Sequence, residues 1–239
     1  MRKTVYLIII AAFFSGCGRF QGQLSMKIQK DCISWTNGTI KFTTHRKYEG
    51  LRYNAPAFEA YFKGEDGNTT HMPIDQYALG YGGSCPMGDI GFYRPSTLAK
   101  AEILSQTDEK MVLHLSYDPW TIYGETVILD KQITIFHDSP VLSVIDYYTG
   151  TFRMLNIAAG MTTSGNGTIR DTYKGYTIQY PMGITSLIVM PDADEMLVDE
   201  TFKTVLLRKA VTNDEPVRYY VGLSDKGMDY LLEEVAKFL

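Results

Sequence analysis

Short apolar segments with a period of two, separated by turn residues, fill the chain from about residue 30 onward. Cys32-Ile33-Ser34-Trp35 and Ile40-Lys41-Phe42-Thr43 flank Thr36-Asn37-Gly38-Thr39, an Asn-Gly pair that favours the left-handed backbone of a two-strand turn. The same pattern predicts strands over 57–63, 98–105, 111–117, 126–137, 141–148, 155–161, 176–180, 185–190, 202–211 and 217–223. Clusters such as Gly64-Glu65-Asp66-Gly67-Asn68 and Asp138-Ser139-Pro140 end them. Many short strands divided by turns predict an all-β, mainly antiparallel sandwich or barrel.

One stretch has the helical period instead. Met228, Leu231, Leu232, Val235, Phe238 and Leu239 recur at three- and four-residue spacings opposite Asp229, Glu233, Glu234 and Lys237. This predicts a C-terminal helix capped by Ser224 or Asp225 that covers a sheet edge or face.

The run YALGYGGSCPMGDIGFYRP, residues 77–95, follows neither period. It holds five glycines, four aromatics and two prolines, and it reads as a long structured loop. Two roles stand open for it: a crossing between sheets whose aromatics cap the core edge, or a ligand-binding loop on a rigid scaffold.

At the start, Arg2 and Lys3 precede the apolar run 5–14, which is shorter than the roughly 20 residues of a spanning helix. Ser15-Gly16-Cys17 follows, so 1–16 reads as a secretory signal. Phe14-Ser15-Gly16-Cys17 resembles a bacterial lipobox. That resemblance implies a lipid on Cys17 and a location at the bacterial cell envelope, in the outer membrane or periplasm; the alternative is an ordinary signal peptide with an incidental cysteine. The polar, glutamine-rich stretch over 17–30 reads as a tether, and with no linker beyond it 31–239 reads as one domain.

The full chain carries 23 basic and 27 acidic residues. Loss of Arg2 and Lys3 leaves a net charge of −6 with no basic run, which argues against a nucleic-acid partner. Cys32 and Cys85 form either one disulfide or two buried thiols, a matter that spacing does not decide. No P-loop, dinucleotide fingerprint, Gly-x-Ser-x-Gly elbow or zinc-binding His-Glu-x-x-His is present, and no cofactor or metal is expected.

Candidate chemistry therefore rests on position. His71 and Asp75 lead into the glycine-rich run, beside Tyr77, so an imidazole, a carboxylate and a phenol share one irregular segment. Tyr81, Asp89, Tyr93 and Arg94 follow, groups suited to stacking on a sugar ring and bonding its hydroxyls or a uronate carboxylate. His114 falls on the polar face of strand 111–117, either as a solvated or structural histidine or as a general acid or base. Asp146 shares a strand face with Leu142 and Val144, and Trp120 is expected in the core. With 17 tyrosines and two tryptophans, the chain is rich in amphipathic rings.

Tyr77-x-x-Gly80-Tyr81, Gly82-Gly83-Ser84-Cys85, and Leu115-Ser116-Tyr117-Asp118-Pro119-Trp120 with Val127, Lys131, Ile133 and Ile135 resemble a family of secreted proteins grouped as a domain of unknown function. Tyr219-Tyr220-Val221-Gly222 is a weaker echo. The family is similar to the galactose-mutarotase-like supersandwich and accompanies polysaccharide breakdown. The resemblance implies a curved β-supersandwich taking an oligosaccharide, with lyase-, hydrolase- or dehydratase-like chemistry. His71 or His114 would be acid or base, Tyr77 or Tyr81 a relay or platform, and Arg94 a carboxylate anchor. Longer family members carry more histidines and acids before the Tyr-x-x-Gly run than the His71 and Asp75 found here. Two alternatives accompany the enzyme reading: a noncatalytic glycan-binding lipoprotein and a structural envelope lipoprotein.

Overall fold

The structure, a computed structural model, describes residues 23–46, 57–74, 79–89, 91–95, 97–164 and 166–239. The first strands are β1 Ser25–Ile28, β2 Cys32–Thr36, β3 Ile40–His45, β4 Glu59–Lys63, β5 Thr69–His71, β6 Tyr81–Gly88 and β7 Gly91–Phe92. Next come β8 Leu98–Gln106, β9 Lys110–Tyr117, β10 Trp120–Ile122, β11 Glu125–Phe136, β12 Val141–Gly150 and β13 Met154–Thr162. The rest are β14 Thr168–Thr172, β15 Gly175–Gln179, β16 Thr185–Val189, β17 Glu195–Asp199, β18 Thr204–Thr212 and β19 Pro216–Ser224, with helix α1 over Met228–Ala236.

Among the described residues the strands form three sheets, and every strand pairing is antiparallel. The first sheet is the meander β1-β2-β3-β4-β5; the second, the large sheet, runs β14-β15-β16-β19-β12-β11-β9-β8 with β10 on β11; the third is β17-β18-β13-β6-β7. A parallel bridge between Phe58 and Gly80 joins the first sheet to the third. Gly80 sits at φ +68°, and a Cβ there would lie 2.2 Å from the Phe58 carbonyl oxygen, so only glycine allows this joint. Apolar side chains of all three sheets meet in one core, including Trp35, Phe42 and Phe58, Leu113 and Ile133, and Ile157 and Leu207. The expected all-β sandwich with a C-terminal helix is what the chain forms.

Four expectations are corrected. Residues 81–88 are not loop: β6 pairs with β13 inside the third sheet and is almost wholly buried. Its glycines serve close packing, since a Cβ on Gly82 (φ +95°) would lie 2.5 Å from Val221. The expected tether overlaps β1, whose residues 25–28 pair with 33–36 of β2. Helix α1 begins at Gly227 with no side-chain cap, because the Ser224 hydroxyl accepts from the Lys226 amide instead. The helix does cover a sheet face as expected: Leu231 and Val235 pack on Val141, Leu187, Val189 and Tyr220, on the side of the large sheet away from the core. Glu234, expected on the polar side, is buried and accepts from the Ser139 hydroxyl.

Candidate active site on the outer face of the first sheet

Alternation along the first sheet sends Trp35, Phe42, Ala60 and Phe62 into the core. The neighbouring residues therefore lie on the sheet's other face, where Lys41, Thr43 and Glu59 are themselves buried, and the strand register gathers them into rows. Lys41 pairs with Tyr61 and Tyr61 with His71; Thr43 pairs with Glu59. His45 lies one step along the same face of β3.

Glu59 organises this face. Its Oε2 accepts from the Tyr61 hydroxyl at 2.9 Å, and its Oε1 lies 3.3 Å from His45 Nε2. The Tyr61 ring stacks on His71 with centroids 4.5 Å apart and planes 19° from parallel, and Lys41 Nζ sits 4.9 Å from the Tyr61 centroid. The side chain of Glu59 is 9% exposed and that of His45 28%, while His71 is open to solvent. Burial would raise the Glu59 pKa, but the hydrogen bonds from His45 and Tyr61 and the nearby His71 outweigh it and hold the carboxyl below its ordinary value. An ionised carboxylate thus orients an imidazole and a phenol beside a solvent-facing imidazole, a set suited to proton transfer.

The other expected site residues scatter. Tyr81 is wholly buried and its hydroxyl donates to the Pro73 carbonyl at 2.6 Å, so it is a core residue and offers no stacking platform. Asp89 is exposed at the end of β6. Tyr93 packs on the core edge, and its hydroxyl shares a hydrogen bond with that of Tyr123. Arg94 lies over the Phe92 ring at 5.1 Å. His114 projects from the outer face of the large sheet and His71 from the first sheet, so the two belong to different sheets. Its Nε2 is 2.9 Å from Asp130 and its Nδ1 3.3 Å from Glu102. Tyr77, Asp75 and Cys17 lie outside the described residues. Cys32 and Cys85 are both free and buried, which decides between the two states left open for them. Trp120 is partly buried against the core.

Sequence reasoning missed His45, Glu59, Tyr61 and Lys41. The signal was present in the alternation of 40–45 and 57–63, which places all four opposite the apolar positions. What alternation alone did not supply was the pairing of β3 with β4 and of β4 with β5. Among the described residues no three His, Cys, Asp or Glu side chains converge as a metal site.

Several residues that carried the family resemblance meet in the core instead. Lys131 Nζ donates to Asp146 Oδ1 at 2.6 Å, to the Tyr219 hydroxyl at 2.8 Å and to Ser84 Oγ at 3.2 Å. Asp146 Oδ2 accepts from Ser84 and from Tyr219, and Ser84 also bonds the Tyr148 hydroxyl. Lys131, Asp146 and Ser84 are wholly buried. With no access for a ligand, this cluster is architecture.

No protein-family model matches the chain, and no curated protein sequence does. Solved structures do match. Heparan sulfate lyase HepC from Pedobacter heparinus aligns over 84% of this chain with a TM-score of 0.54 at 13% identity, and a mutant of it with 0.55. A putative kojibiose phosphorylase from the human microbiome aligns over 90% of the chain at 8% identity with a TM-score of 0.46. The chain spans 36% of the lyase chain and 35% of the phosphorylase chain. The likeness to the lyase is one of fold.

Proposed function

We propose that this protein binds an acidic oligosaccharide on the outer face of its first sheet and cleaves it by acid–base chemistry of the lyase type. The observation that carries this reading is the Glu59-centred set, in which His45 and Tyr61 are fixed by one carboxylate and His71 faces solvent beside them. Fold likeness to a heparan sulfate lyase supports the glycan class.

In a lyase-type elimination, a base removes the proton on the carbon next to a uronate carboxylate. The electron pair forms a carbon–carbon double bond, the glycosidic C–O bond breaks, and an acid protonates the departing oxygen. His71 is the base, being open to solvent. His45, held on Glu59, supplies the proton to the leaving oxygen.

A lipid on Cys17 would place this activity at a bacterial cell envelope, and the secreted polysaccharide-associated family remains the proposed relationship. The test is incubation of the protein with heparan sulfate oligosaccharides and with a panel of other uronate-containing and neutral oligosaccharides, read by product mass and by absorbance of the new double bond. Unsaturated product lost in His71→Ala supports the reading. Saturable binding without product supports a noncatalytic glycan-binding protein, and neither binding nor product overturns both.

A further inference from the structure

Three segments far apart in sequence meet at one end of the sandwich: the turn between β2 and β3, the turn between β11 and β12, and the link from β19 into α1. They enclose a cavity of about 220 Å³. Its apolar floor is made by Phe62, Pro140 and Leu223. Phe62 follows Tyr61 on β4, so consecutive residues serve the cavity and the outer-face site on opposite sides of the first sheet.

The walls are fixed. Asn37 Nδ2 donates to the carbonyls of Phe136 and Ser139, both at 2.9 Å, while its Oδ1 accepts from the amides of Thr39 and Ile40. This one buried side chain locks the first hairpin turn to the β11–β12 turn. The rim is open: Thr39, Asp225 and Lys226 are exposed and Tyr230 is half-buried, and all four line the cavity. Lys226 Nζ lies 5.0 Å from the Tyr230 ring centroid. A buried apolar floor beneath accessible hydroxyl, carboxylate and ammonium groups is the make-up of a small-ligand site.

The chemistry of the rim narrows the ligand. Asp138 and Asp225 stand against Lys226 alone, so the cavity has no positive excess to select an anion. Carboxylates and a threonine hydroxyl accept from alcohol hydroxyls, an ammonium donates to them, and the rings of Phe62 and Tyr230 suit the C–H face of a sugar. At roughly 30 Å³ per water, the volume equals about seven waters, room for one pyranose. We infer that this cavity is a second glycan subsite that holds a single neutral pyranose unit. The inference rests on the glycan reading above and concerns a different surface.

The test follows backbone amide shifts of the full chain by NMR during titration with methyl β-glucoside, N-acetylglucosamine and, as the anionic control, sodium glucuronate. Saturable shifts at Thr39, Asp225, Lys226 and Tyr230 with a neutral sugar are expected, weakened about tenfold in Asp225→Asn by loss of a charge-assisted hydrogen bond. They should be lost in Tyr230→Ala and retained in His71→Ala. Shifts confined to the His45–His71 face would overturn the subsite and leave the proposed function standing. Shifts at the cavity that neither Asp225→Asn nor Tyr230→Ala changes would overturn it too. Cavity shifts without any at the outer face, for glucuronate or for the uronate oligosaccharides, keep the subsite and overturn the proposed function. Silence at both surfaces overturns both.

Discussion

Lys131 and Asp146 face each other across β11 and β12 with Nζ and Oδ1 2.6 Å apart and neither side chain exposed at all. Burial pulls the lysine below its ordinary pKa, and the carboxylate opposes that pull. Ser84 and the Gly82 carbonyl, bonded through Tyr219, extend the network from the large sheet to β6. The network therefore fixes the lateral position of one layer on the other.

Removing one partner leaves the other charge buried alone. Lys131→Met and Asp146→Leu should each cost about 3–5 kcal/mol in urea unfolding, whereas the double variant should recover most of that loss. A double variant no more stable than the singles would show that the hydroxyls, not the ion pair, set the energy.

Glu59 should impose a pH dependence with a defined sign. Its carboxyl titrates in the folded protein below the ordinary value of 4.5. Its contribution is thus complete above the unfolded value and is lost as pH falls through the folded one. Glu59→Gln should be less stable than the parent at pH 7, with the gap closing below about pH 4; thermal unfolding across pH 3–8 measures it. A constant gap would contradict the hydrogen bonds assigned to His45 and Tyr61.

Both cysteines should be inert in the folded protein. Burial pushes the Cys85 thiol up to about 12 despite nearby Arg94, and Cys32 is 3% exposed with its thiol on Gln29 Oε1. Iodoacetamide at pH 8 should leave both unmodified until guanidinium is added, as peptide mass mapping would report. A peptide linked through Cys32 and Cys85 would contradict the free thiols.

The helix should contribute to stability through one side chain above the others. Leu231 is wholly buried, and its Cδ2 lies 2.9 Å from where a Cβ on Gly222 would stand. Leu231→Ala should cost about 2–5 kcal/mol, against less than about 0.5 kcal/mol for exposed Glu233→Ala. Equal small effects would mean that α1 is not docked on β12, β16 and β19 in solution.

His71 was legible as a candidate because it stands just ahead of an unusual segment, and strand 57–63 beside it was legible from its period, but the segment read as irregular places His71 on β5, paired with Tyr61. Its partners were not, since His45, Glu59 and Tyr61 belong to two strands separated by residues 46–58. Glycine and proline in 81–88 argued for a loop, yet there the absence of side chains lets β6 lie close to Val221 while Ser84 enters the buried network. Local propensity was overridden by packing.

Alternation along each segment determined the all-β class, the first hairpin, most strand positions and the amphipathic C-terminal helix, because the period of apolar residues is a local property of the chain. Tertiary structure alone decided which strands became neighbours. That pairing turned Tyr81 from a surface aromatic into core, Lys131 and Asp146 into a buried pair, and four dispersed polar residues into one face around Glu59. Contacts between distant strands depend on register and layer packing, which no window of sequence contains.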